Sequence, residues 1–375
     1  MGLDLRFAIL SDLHIGLPHT LHDHPTRFHL VEWSIPALET VLDRLAGCPL
    51  DFLLLPGDLT QHGELENHQW LAHRLGQLPY PVFVIPGNHD IPVPEADGTA
   101  IAPATFAQIY RDFGYHHASE QPNSPALYYS QSPVPGLRLI GLNSNQFNRA
   151  GRQVGALDLQ QLRWLEALLP SCRDEFVLVM VHHNVLEHFP AQRVHPIGRR
   201  YMLKNSDPLL RLLRRHGVQV VLTGHLHVQD ITSQNGIFDI TTGSLVSFPH
   251  PYRLAHFYHN HRGDMIGNIE SFRVESLAEC PDLQTYSRQW MGDRSEYFMM
   301  RMLTESPLNF SEQEAKRYAP QLRDFWATIA DGDPTFDTPE FPPVLQRYLQ
   351  TYEAHQRQPG EPLTQDNDTV LQLQG

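Results

Sequence analysis

Short apolar runs alternate with amphipathic stretches as far as residue 275, and this rhythm sets the expected fold. Runs such as FLLL, VLVM and VVLT are too short for helices and are bounded by Gly, Pro or polar residues, so they read as buried strands. Strands are predicted at residues 5–11, 52–56, 82–86, 137–143, 176–182, 218–223, 237–242, 253–259 and 266–274. Between them, apolar residues recur at three and four, which predicts helices over 31–46, 66–78, 103–113, 158–168 and 207–216. Early strand–helix alternation implies parallel pairing, and the later strands joined by short Gly-containing turns imply antiparallel pairing. Two mixed sheets flanked by helices satisfy both.

The character changes beyond residue 275. Residues 283–302, 311–329 and 343–356 read as helices, broken by Pro307, Pro320 and the turn Asp331-Gly-Asp-Pro334. The expected organisation is therefore a main domain over 1–275, a helical C-terminal extension over 276–356 and a disordered tail over 357–375, which is rich in Gln, Asp and Pro. The extension reads as a lid or an oligomerisation element, and a homo-oligomer formed through it is one expectation.

Five segments carry the candidate chemistry, each where an apolar run gives way to a loop. They are Asp12-Leu-His14, Gly57-Asp58, Gly87-Asn88-His89-Asp90, Val181-His182-His183 and Gly224-His225-Leu-His227. Side chains two apart at a strand end share a face, so Asp12 pairs with His14 and His225 with His227. Loops at the carboxyl ends of neighbouring strands converge, which would gather these groups at one edge of the fold. Adjacent strand residues point oppositely, so one of His182 and His183 should face the cluster. Two carboxylates, four imidazoles and an amide oxygen suit Mn, Fe, Zn, Co or Ni and contain no thiolate.

Composition narrows the setting. The three cysteines, Cys48, Cys172 and Cys280, are widely spaced and give no disulfide framework. MGLDLRFAIL carries no basic leader and reads as the first strand, and the cytoplasm is the expected location. No apolar run approaches the ~20 residues of a membrane span. The formal charge of -14 is uneven, with 19 basic against 23 acidic residues through position 262 and 9 against 19 beyond it. An acidic C-terminal third repels a phosphate backbone, so nucleic acid is an unfavoured partner.

The ordered set resembles the calcineurin-like metallophosphoesterases, whose fold is a four-layer α-β-β-α sandwich of two mixed sheets. The resemblance implies a dinuclear centre. One metal would take Asp12, His14, Asp58 and His227, and the other Asp58, Asn88, His182 and His225, with Asp58 bridging. It implies a leaving-group role for His89, oriented by Asp90. The implied activity is hydrolysis of a phosphoester by metal-activated hydroxide, and the metals could be Mn, Fe, Zn or Co.

The stretch from Gly57 to Asp90 and the segment GSLVSFPHPYRL are most similar to the branch acting on cyclic nucleotides and glycerophosphodiesters. A small phosphodiester is therefore the expected substrate. Glycerophosphodiesterases of that branch place a His where Val246 stands here, and His250 comes later. Alternatives within the superfamily are a DNA exonuclease and a phosphomonoesterase or pyrophosphatase. A non-catalytic scaffold is the alternative of another class.

Arg193, Arg199 and Arg200 lie in an insertion near the motifs and could contact a substrate phosphate, whereas Arg211, Arg214 and Arg215 read as one exposed helix face. His19, His22, His24 and His29 read as solvated loop residues, with lining of the site entrance as the alternative.

Overall fold

Leu178 and Met180 face one hydrophobic core while Val177, Val179 and Val181 face another, so this apolar run is buried on both sides. The computed structural model describes residues 2–22, 27–116, 126–195, 198–353 and 365–373. Its first strands are β1 (Asp4–Ile9), β2 (Phe52–Leu55), β3 (Val82–Val84), β4 (Tyr129–Gln131), β5 (Leu137–Gly141), β6 (Asn145–Phe147) and β7 (Gln153–Gly155). Those that follow are β8 (Phe176–Met180), β9 (Val220–Thr223), β10 (Asp230–Gln234), β11 (Ile237–Thr241), β12 (Pro251–His259), β13 (Met265–Arg273) and β14 (Thr369–Leu373).

Two six-stranded sheets result, ordered β14-β13-β12-β1-β2-β3 and β10-β11-β9-β8-β5-β4, with β6 and β7 forming a separate hairpin. The β1, β2 and β3 pairs are parallel, as are β5, β8, β9 and β11, while antiparallel strands form the β14 edge of the first sheet and both edges, β10 and β4, of the second. Both sheets are mixed, as the change from helical crossovers to short turns predicts.

Helices cover the outer faces. From α1 (Ser34–Leu45), α2 (Leu65–Leu75) and α3 (Pro103–Ile109), residues Leu38, Val41, Leu71 and Phe106 join the core that holds Phe7 and Phe52. From α4 (Leu159–Leu168) and α5 (Ser206–Arg215), Leu165, Leu209 and Leu213 pack with Val179 and Val221 on the second sheet. The side chain of Asp158 accepts from the Gln161 amide and caps α4. The sheets meet through residues such as Phe7, Phe257 and Phe176. The fold is thus an α/β sandwich of two mixed sheets flanked by helices.

Of the C-terminal helices, α6 (Leu283–Asp293) buries Leu283 in the core that holds Phe7, whereas α7 (Glu296–Thr304), α8 (Glu312–Tyr318), α9 (Phe325–Ala330) and α10 (Pro343–Gln350) build a core of their own with Met302, Leu322, Phe325, Leu345 and Leu349. One expectation needs correction. Residues 369–373 are not a disordered tail but an edge strand, β14, antiparallel to β13. Their alternation buries Leu371 and Leu373 against the sheet, a short period-two signal that the polar composition around it obscures. The strand is anchored upstream, where Asp366 and Asp333 each accept from the other's amide at 2.7 and 2.8 Å. Residues 357–364, 374 and 375 of the expected tail lie outside the described residues.

Candidate metal centre

All seven predicted donors come together where β1, β2, β3, β8 and β9 end. His227 Nε2 lies 3.0 Å from Asp12 Oδ1 and 3.4 Å from His14 Nε2, which is 3.9 Å from Asp58 Oδ2. The same Asp58 oxygen is 3.3 Å from His182 Nε2, and that nitrogen is 3.2 Å from Asn88 Oδ1. Donor atoms of Asp12, His14, Asp58 and His227 all lie within 4.8 Å of one another, as do those of Asp58, His182 and His225. Asp58 belongs to both groups.

The backbone does much of the positioning. Asp12, His14, Asp58, His225 and His227 all adopt positive φ, between 43° and 67°, a region that residues other than Gly seldom enter. Such strain costs of order 1–3 kcal/mol per residue and concentrates where a site needs unusual geometry. Gly87 lets the turn of residues 87–90 close onto Asp58, because a Cβ there would collide with the Asp58 carboxylate. At Gly224 a Cβ would strike the side chains of Ser11 and Asp12.

Electrostatics set the protonation states. Burial and the neighbouring rings of His29 and His89 push His14 well below the usual imidazole pKa. Burial, with His183 and His182 beside it, does the same to His225. Burial would raise Asp58, but His182, His89 and His14 overcome it and hold the carboxyl well below its ordinary range. Burial lowers His182 and Asp58 more than reverses this, taking it up to about 9. Neutral His14 and His225 beside an ionised Asp58 are the forms that bind cations, and a bound cation would displace the proton from His182. His14 Nδ1 is buried with no hydrogen-bond partner. The donor set thus fits two ions of the Mn, Fe, Zn or Co type.

His182 and His183 divide their work. His182 Nδ1 donates to the Pro56 carbonyl at 2.8 Å, leaving Nε2 for the cluster. His183 turns to Ser144 Oγ at 2.8 Å, and its ring packs against His225 at 4.3 Å. His89 stands edge-on to His14 with ring centroids 4.7 Å apart.

Its orienting partner is not the expected one. His89 Nδ1 donates to the Gln61 carbonyl at 2.6 Å, and its amide donates to Asp58 Oδ1 at 2.8 Å. Asp90 instead accepts from the amides of Gly87 at 2.8 Å and Thr60 at 2.9 Å. It braces two loops because its buried carboxylate points into the turn, away from the neighbouring imidazole. Burial and the nearby Asp58 charge raise its pKa to about 7.

The cluster lies in a cavity of about 1030 Å³. The cavity is also lined by Phe28 and by Met291, Phe298, Trp326, Ile329 and Tyr352 of the C-terminal unit. Arg199 and Arg200 are exposed and line it, Arg200 stacking over Tyr201. Arg193 also lines it but is braced, bonding Ser206 Oγ at 2.8 Å and the Val185 carbonyl at 3.3 Å. Arg211, Arg214 and Arg215 are exposed. His250 is buried against the Leu245 carbonyl and is not among the lining residues, so it does not replace the His missing at Val246.

His24 lies outside the described residues. His29, read as a solvated loop residue, is instead half-buried against His14 and His227, with ring centroids at 4.2 and 4.6 Å. No sequence spacing relates it to the motifs, so only the three-dimensional packing reveals it.

A family model described as calcineurin-like phosphoesterase matches residues 5–229. A probable glycerophosphodiester phosphodiesterase of Arcobacter nitrofigilis is 29% identical over 52% of this chain and 63% of its own length. A probable cyclic nucleotide phosphodiesterase of Vesicomyosocius okutanii is 24% identical over 51% of this chain and 68% of its own. A glycerophosphodiester phosphodiesterase of Enterobacter lignolyticus is 30% identical, the match covering 47% of this chain and 56% of that protein. The chain thus matches little more than half to two thirds of these relatives. Among solved structures, a dimetal phosphatase from Danio rerio shares the fold at 16% identity and a TM-score of 0.50, covering 71% of this chain and 95% of that one.

Proposed function

The chain belongs to the calcineurin-like phosphoesterases, and on that premise we propose that it is a dinuclear metal-dependent phosphodiesterase acting on small phosphodiesters, of the cyclic-nucleotide or glycerophosphodiester type. The observation that carries the reading is the convergence of seven donors into two groups that share Asp58. One ion would be held by Asp12, His14, Asp58 and His227, the other by Asp58, Asn88, His182 and His225. When bound, the pair supplies an acidified water and positive charge against the phosphoryl oxygens.

The chain's own groups do the rest. Because Nδ1 of His89 is committed to the Gln61 carbonyl, its Nε2 is the atom free to pass a proton or a hydrogen bond to the leaving oxygen. Asp90 is a positioning residue for the loop that carries Asn88 and His89. Arg199 and Arg200 reach the same cavity and would contact a charged part of the substrate. The helical unit, which walls that cavity, acts as a lid.

The similarity to glycerophosphodiester and cyclic nucleotide phosphodiesterases supports a diester substrate. The test is hydrolysis of bis(p-nitrophenyl) phosphate beside p-nitrophenyl phosphate by chelator-stripped protein reloaded with manganese. Metal-dependent preference for the diester is expected; preference for the monoester would place the chain with phosphatases.

A further inference from the structure

We propose that His29 is a further ligand of the ion that Asp12, His14, Asp58 and His227 would hold, an inference that rests on the dinuclear reading. Its ring lies over both imidazoles of that group, and donor atoms of His14, His29 and His227 are within 4.8 Å of one another. His29 Nδ1 is buried and has no hydrogen-bond partner, and the same holds for His14 Nδ1 beside it. A buried ring nitrogen without a partner is costly, and the one on His29 is available to a cation.

The segment is also held in place from both sides. The Trp290 indole donates to the Arg27 carbonyl at 3.2 Å, and Phe28 packs on Phe298 with centroids 5.0 Å apart. The Leu30 amide donates to the Val246 carbonyl at 2.7 Å, in the loop between β11 and β12. A solvated loop histidine needs no such clamp. The C-terminal unit, through Trp290 and Phe298, thereby fixes the chain just before His29, and the Val246 carbonyl fixes it just after. Three imidazoles around one ion favour Zn, Co, Ni or Fe over Mg.

The test measures metal binding, not turnover. Wild type, His29→Ala and His29→Gln are stripped and titrated with Co(II), following stoichiometry by dialysis and element analysis and the coordination by visible absorption. Wild type should bind two ions, and both variants should bind one of them about tenfold or more weakly, with altered d–d bands. Two ions bound with unchanged affinity and spectrum in the variants would overturn the role of His29 while leaving the dinuclear reading intact. Fewer than two ions in wild type would overturn both. Proton NMR of Co(II)-loaded wild type covers the case of a variant that does not fold. Ring N–H protons shifted by the ions should come from five imidazoles, and a count of four would overturn the proposal.

Discussion

Asp58 Oδ2 stands 3.3 Å from His182 Nε2, and both side chains are buried. The same carboxylate oxygen is within 3.9 Å of His14 Nε2, so one residue faces both groups of donors. Asp58→Asn keeps the size of the side chain and the hydrogen-bonding role of Oδ1 but removes the charge. It should abolish metal-dependent hydrolysis and weaken metal binding by about tenfold or more, with an unchanged circular dichroism spectrum. Full activity in the metal-loaded variant would refute the shared-carboxylate arrangement.

His89 is turned toward the cluster by the Gln61 carbonyl. His89→Ala should lower turnover by roughly 10²–10⁴-fold on diesters with alkoxide leaving groups, where proton donation matters. On bis(p-nitrophenyl) phosphate, whose leaving group needs no proton, the loss should be far smaller. Equal losses on both substrates would argue against a leaving-group role.

The chemistry was legible because its donors sit at strand ends in motifs two to four residues long, and the strands announce themselves as apolar runs. What was not legible depends on the path of the backbone. His29 reaches the cluster through a loop, not a motif. The division between Gln61 and Asp90 turns on which oxygen faces the His89 ring, and adjacency in GNHD suggested the wrong one. Strand β10 was missed because Asp230, Thr232 and Ser233 interrupt its apolar pattern, although it is closed onto β11 by the Asn235-Gly236 turn. The positive φ of five donors likewise leaves no trace in residue type, since neither Asp nor His demands it.

His188 is buried between two acids, with Nδ1 3.1 Å from Asp230 Oδ2 and Nε2 3.3 Å from Asp239 Oδ2. Burial lowers its pKa, but Asp239 and Asp230 more than reverse this and raise it from 6.5 to about 9. A raised folded-state pKa means that the stabilisation is fully present below pH 6.5 and is lost as pH climbs through about 9. At 1.36 kcal/mol per unit this is about 3 kcal/mol. His188→Leu should therefore lower stability to denaturant far more at pH 6 than at pH 10. A penalty independent of pH would mean that the imidazole is not charged in the fold.

Trp326 and Phe298 belong to helices of the C-terminal unit yet line the metal cavity. Trp326→Ala should raise KM for diesters with an aryl group by roughly tenfold, equivalent to about 1.4 kcal/mol, and leave kcat little changed. A small methyl diester should be hydrolysed as before. A fall in kcat for every substrate would instead assign Trp326 to holding the unit together.

The claim on which the rest depends is that two ions sharing Asp58 drive the reaction. Stripped protein should be titrated with manganese while hydrolysis of bis(p-nitrophenyl) phosphate is followed against bound metal per chain. Activity is expected to require both ions and to reach its plateau at two equivalents. A plateau at one equivalent, or hydrolysis that persists in the stripped protein, would contradict the account.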